Sequence, residues 1–139
     1  MMKTSMDLDD GVMLQAGRHA LCELFSRYAS EEYAAEYLYR RQGLRDAFKN
    51  YRTMDPEVQS FLKELMEAHA TQSRINGGAE CKRRHNTFVL TYIADRKISA
   101  KEIARMQGIT LRAVYKDLNH VFDNLMVLAY GVDGVKPNR

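Results

Sequence analysis

A chain of 139 residues is long enough for one compact domain, or for two small helical units sharing a core, and too short for a large multidomain enzyme. With 45% hydrophobic and 28% charged residues it has the composition of a globular protein, which excludes wholesale disorder. The net charge is only +3, but residues 1–79 carry −2 and residues 80–139 carry +5, so the cationic excess lies in the second half, as expected where that half meets a polyanion.

The longest apolar run, Leu125 to Tyr130, falls far short of the roughly 20 residues a membrane span needs. Met1 to Ser5 leads into acidic Asp7, Asp9 and Asp10 instead of an apolar signal core. The expectation is a cytoplasmic protein with no membrane partner. Cys22 and Cys81 are too few for a disulfide framework. His19-x-x-Cys22 and Cys81-x-x-x-His85 each place two metal-ligand types on neighbouring helical turns, and together they could make a tetrahedral zinc site. The simpler expectation is two free thiols, with Cys22 in a core and His85 facing solvent.

Prolines occur only at positions 56 and 137, and apolar residues recur at spacings of three and four, so the chain is expected to be all-α. Val12–Ala29 reads as a first helix with Leu14, Leu21, Leu24, Phe25 and Tyr28 on one face. Ser30 caps a second, running toward Tyr51, with Glu31 and Glu32 in its dipole-favoured first turn and Tyr33, Tyr37, Leu44, Phe48 and Tyr51 inward. Gly43 inside it suggests a kink or a break. Arg41, Arg45, Lys49 and Arg52 form a basic stripe there, read as a solvated, salt-bridged face.

Asp55-Pro56-Glu57 starts a third helix, with Asp55 as N-cap and Pro56 at the first position. Its expected buried stripe is Val58, Phe61, Leu62, Leu65 and Met66, continued by His69 as a hydrogen-bonded histidine at the core edge. Asn76-Gly77-Gly78 ends it. The expected division is 1–79, an N-terminal helical bundle for packing or oligomerisation, and 80–139, a helix-turn-helix domain. After Lys82-Arg83-Arg84 a short helix is expected over Asn86–Asp95.

The informative stretch is Ser99 to Asn119. Ser99 and Glu102 have the spacing of a capping box. Ile103 and Met106 give the following two turns an apolar side, and small Ala104 permits close approach of another helix. Gly108 can adopt the left-handed conformation of a tight turn, Ile109 plugs the corner, and Thr110 caps the next helix. Gln107 stands where an apolar residue is usual, so Met106 is expected to fill that space. The pattern is helix, glycine turn, helix.

On the second helix Leu111, Val114, Leu118, Val121, Leu125 and Leu128 share one side, which is also the register of a coiled-coil seam. Arg112, Tyr115, Lys116 and Asn119 share the other. Arg can donate two bonds to guanine and Asn can pair bidentately with adenine, so Arg112 and Asn119 are the candidates for base readout. Lys97, Lys101, Arg105, Tyr115 and Lys116 are candidates for holding the backbone, with Thr110 able to do either. The helix is expected to continue to about Tyr130, where it turns apolar all round and must be covered by the N-terminal helices or by a second subunit. A homodimer is expected.

Lys97 to Leu118 resembles the helix-turn-helix of sigma-70 region 4, and Val-Tyr-Lys-Asp-Leu at 114–118 is similar to winged-helix repressors. With the trailing Leu125 to Gly134, the last 50 or so residues look most like small phage and prophage regulators of the ArpU and RinA type. The resemblance implies a prophage-type transcription regulator that binds double-stranded DNA and leaves activator versus repressor open; RNA polymerase is a candidate further partner. Two other readings are a phage DNA-packaging recognition subunit, which predicts a ring-like oligomer, and a module that binds RNA polymerase without touching DNA. No acid/base pair at a telling spacing, Gly-rich phosphate loop or nucleophile beside a histidine points to an enzyme or to a cofactor.

Overall fold

The structure is a computed structural model that describes residues 17–23, 26 and 30–137. These residues hold helices and connecting turns, with no strand among them, so the fold is all-α. Residues 17–23 and 26 are helical; the rest of the helix expected over Val12–Ala29, including Leu14, Leu24, Phe25 and Tyr28, lies outside the described residues. Leu21, expected inward, is exposed. The chain then forms α1 (Glu31–Lys49), α2 (Pro56–Asn76), α3 (Ala79–Phe88), α4 (Ala100–Gln107) and α5 (Leu111–Tyr130), with single turns at Tyr51–Thr53 and Gly131–Gly134 and a π turn at Val89–Ile93.

The chain divides into two compact units, Leu38–Val135 and a second comprising Met1–Tyr37 with Lys136–Arg139. The expected border at 79/80 is therefore a turn inside the larger unit. Gly77 and Gly78 supply it with positive φ angles of 65° and 94°, the region in which a side chain is strained. In the smaller unit, the Ser30 hydroxyl accepts from the Tyr33 N–H at 3.1 Å and caps α1 as expected.

Tyr33, Tyr37, Leu44 and Phe48 are buried along α1 at helical spacing. Gly43 does not break it. A methyl group there would meet nothing within 4 Å, so Gly43→Ala is expected to raise stability by about 0.5–1 kcal/mol, the helix-propensity difference, in a denaturant titration.

Inside the larger unit, α3 and α5 pack on one another, α2 packs across both, and α4 lies against the start of α5. The centre is an aromatic cluster. Phe48, Phe88 and Phe122 have no exposed surface. Phe88 meets Phe48 and Phe122 edge-on at centroid distances of 4.9 and 5.2 Å, and Tyr92 joins at 4.9 Å from Phe88, the geometry favoured by ring quadrupoles.

Pro56 starts α2 as read, but the Asp55 side chain makes no cap hydrogen bond. The buried stripe of α2 is Leu62, Leu65, Met66, His69 and Ser73, while Val58 and Phe61 are exposed. The stripe is thus shifted toward the C-terminal part of α2, because α3 follows immediately and covers that end. His69 is almost fully buried and shares an Nδ1···Nδ1 hydrogen bond of 2.8 Å with His85. Burial first, then the facing His85 and His120, lowers the His69 pKa to about 4. Burial also lowers that of His85.

The helix expected over Asn86–Asp95 is corrected. α3 already starts at Ala79, so Lys82, Arg83 and Arg84 are helical, and after Phe88 it widens into the π turn, where the Ala94 N–H reaches the Val89 carbonyl at 2.9 Å. No group of three or more His, Cys, Asp or Glu among the described residues is arranged to hold a metal ion. Cys22 is exposed and His85 is half-buried, the reverse of what the sequence suggested for each, and His19 lies beside Glu23 at 3.1 Å. No helix among the described residues is long and apolar enough to cross a membrane.

Candidate nucleic-acid interface

Two helices joined by a glycine turn form where the sequence places them. The Ser99 hydroxyl accepts from the Glu102 N–H at 3.2 Å, starting α4. The Glu102 side chain does not complete the box; its carboxylate pairs with Arg96 at 3.0 Å, which holds its pKa below the usual carboxylate value. α4 ends at Gly108 with φ 64° and ψ 35°, and the Ile109 N–H returns to the Ala104 carbonyl at 2.9 Å, the closure that a left-handed residue permits. The Thr110 hydroxyl accepts from the Ala113 N–H at 3.1 Å and starts α5. Its own hydroxyl hydrogen remains available to an outside acceptor.

Gln107 is half-buried, and Met106, expected to take its place, is 53% exposed. The Gln107 amide donates to the Thr87 hydroxyl and to the Arg83 carbonyl. Thr87 lies 3.1 Å from Asp117 Oδ2, and Arg83 donates to both Asp117 oxygens at 2.8 and 3.1 Å. Asp117 is 2% exposed. One polar knot therefore ties the end of α4, the middle of α3 and the inner face of α5, and fixes the angle of the helix pair. Charge-assisted, bidentate bonds of this kind are the strong ones, and the Asp117 contact raises the Arg83 pKa.

The buried side of α5 is Val114, Asp117, Leu118, Val121, Phe122, Leu125 and Met126. Leu111 and Leu128, expected on it, are 40% and 37% exposed. The seam is rotated toward Phe122, which meets Phe48 of α1 and Phe88 of α3, and toward Met126. At its far end Gly134 lies so close to the Met126 carbonyl that a Cβ there would sit 1.9 Å from the oxygen. The chain's own last turn thus covers Met126, while Val127 and Tyr130 stay partly exposed.

Lys97, Lys101, Arg105, Thr110, Arg112, Tyr115, Lys116 and Asn119 are all exposed. Lys97, Lys101, Arg105, Arg112 and Lys116 make no ion pair among the described residues, whereas Arg41, Arg83, Arg84 and Arg96 each pair with a carboxylate. Five cations without an ion pair among the described residues thus lie on α4, the loop before it and the first turns of α5, while Lys49, Lys63 and Lys82 lack one on other helices. Asn119 is placed differently from Arg112. Its carboxamide oxygen accepts from Arg45 at 3.3 Å, and its backbone carbonyl accepts from Arg41 at 3.0 Å.

The basic stripe of α1 is accordingly not a simple solvated face. Arg41 pairs with Asp123 of α5. Arg45 lies over the Phe122 ring at 5.1 Å, a cation–π arrangement. Arg52, just beyond α1, donates to the carbonyls of Ala94 at 2.8 Å and Arg96 at 3.3 Å. Sequence reasoning missed this clasp, and no local signal could have found it, since each partner is 40 or more residues away.

Comparison with protein-family models, curated proteins and solved structures finds no match. The likeness to sigma-70 region 4 and to ArpU- and RinA-type regulators therefore stands on the residues of the chain alone.

Proposed function

We propose that this chain is a sequence-specific DNA-binding transcription regulator of prophage type, working in the cytoplasm, whose α5 is the recognition helix. The observation that carries the reading is the collection of exposed cations without internal partners on a capped helix-turn-helix. Phosphates attract these cations and release counterions on binding. The exposed guanidinium of Arg112, in the first turn of α5, suits bidentate contact with guanine. Asn119 reads from a fixed position, because one lone pair of its side-chain oxygen is already held by Arg45. A homodimer belongs to the same reading, with the exposed Val127, Leu128 and Tyr130 at the far end of α5 facing a second copy.

Selection of bound duplexes from a random library tests this. The expected result is a palindromic consensus, with Arg112→Ala costing roughly 1–3 kcal/mol on the selected site and little on random duplex. Binding to no duplex, together with capture of RNA polymerase, would establish the protein-interaction reading instead. A ring-like oligomer in a mass measurement would favour the packaging subunit.

A further inference from the structure

Beside the Tyr115 side of α5 runs an open cleft of about 580 Å³, bounded by the end of α1, the π turn and the start of α4. Its exposed margin carries Lys49, Asn50, Lys97 and Tyr115, and buried Ile98 and Leu118 line it as well. No Asp or Glu lines it. Lys49 and Lys97 make no ion pair among the described residues, whereas Arg41, Arg83, Arg84 and Arg96 each meet a carboxylate.

We infer that this cleft seats the sugar-phosphate backbone of one DNA strand while the first turns of α5 enter the adjoining major groove, making Lys49 and Asn50 part of the interface. The inference rests on the DNA-binding reading and extends it to residues of the N-terminal half. Three observations carry it. The first is charge complementarity: the cations are free of carboxylates, and polyanions bind where such charges cluster. The second is rigidity. Arg52 fastens the end of α1 to the Ala94 and Arg96 carbonyls, so Lys49 and Lys97, on opposite sides of that fastening, are held in one frame before any ligand arrives, which lowers the ordering cost of binding. The third is continuity. Tyr115 lines the cleft and is also part of the exposed face with Arg112 and Lys116, so a strand lying in the cleft leaves the next base edges in front of α5. Asn50, Tyr92 and Tyr115 add uncharged donors of the kind that phosphate oxygens accept from.

The test is the salt dependence of binding to the selected duplex by Lys49→Ala, Lys97→Ala, the double variant, and Lys63→Ala as a control on exposed α2. Each cleft lysine is expected to make the log–log salt slope shallower by about one, the double variant by about two, and to weaken random duplex as much as the selected one. Lys63→Ala should leave the slope at the wild-type value. Thermal melts matching wild type would show that the substitutions at these exposed positions leave the fold intact. A Lys49→Ala slope equal to wild type, with Arg112→Ala still losing sequence preference, overturns the cleft assignment and leaves the DNA reading standing. Wild-type protein that binds no duplex at low salt overturns both.

Discussion

Asp117→Ala is expected to lower unfolding free energy by about 3 kcal/mol, at the lower end of the range for breaking a buried ion pair. The reason is what stays behind. Arg83, only one third exposed on its side chain, would lose both hydrogen-bond acceptors and keep only the Glu80 carboxylate at 3.9 Å, and Thr87 and Gln107 would lose the anion that orients them. Removing one partner leaves uncompensated polar groups, whereas removing both ends with groups of similar size is far milder. The double variant Arg83→Met with Asp117→Leu should therefore recover part of the loss, with the remainder due to Thr87 and Gln107. Chemical denaturation of the two variants beside wild type checks this. A single Asp117→Ala loss below about half a kcal/mol, the scale of an ordinary surface substitution, would mean that the knot does not hold the helix pair.

Lowering the pH should destabilise the protein over a window set by His69. Its folded pKa is about 4 against an ordinary histidine value of 6.5, so below 6.5 the unfolded chain takes up a proton that the folded chain refuses. Stability is then full above 6.5, falls as pH drops toward 4, and levels off below it as far as this group is concerned. The shift corresponds to a loss on the order of 3 kcal/mol. His85, whose pKa burial also lowers, acts in the same direction. Because carboxylates begin to titrate at the lower end of this window, the comparison that isolates the effect is His69→Gln, which removes the titration. Denaturation midpoints should separate by pH far less in the variant than in wild type. Parallel pH dependence of the two proteins would show that His69 titrates as a solvent-exposed histidine does.

Local chemistry was legible in the sequence because its causes are local. Ser30, Ser99 and Thr110 cap, Pro56 opens a helix, and Gly77 and Gly108 close one, each through an interaction within four residues. Of the exposed set from Lys97 to Asn119, Arg112, Tyr115, Lys116 and Asn119 followed from the wheel, since no described residue buries them. What failed depends on neighbours. A wheel gives the phase of an apolar stripe but not its width, so it could not show that Phe48 and Phe88 enclose Phe122 and that the turn at Gly131–Gly134 covers Met126, while Leu111 and Leu128 come to the surface. An aspartate in that stripe reads as solvent-facing until an arginine 34 residues earlier is found opposite it. Val58 and Phe61 are apolar residues of α2 left exposed among the described residues, and their sequence gives no sign of it.

The π turn at Val89–Ile93 acts on the chain as a phase shift. An α-helix advances 3.6 residues per turn, and a turn closed through the Val89 to Ala94 bond holds one residue more. Phe88 and Tyr92 both face the aromatic cluster across it, yet everything after Ile93 leaves rotated from where a regular helix would have sent it. Regular winding of the same residues would swing the exit of the chain at Ala94 by roughly 100° about the axis of α3. The Ala94 and Arg96 carbonyls that hold Arg52 would turn away with it. The direction in which the chain sets out toward α4 is thus encoded in a residue count.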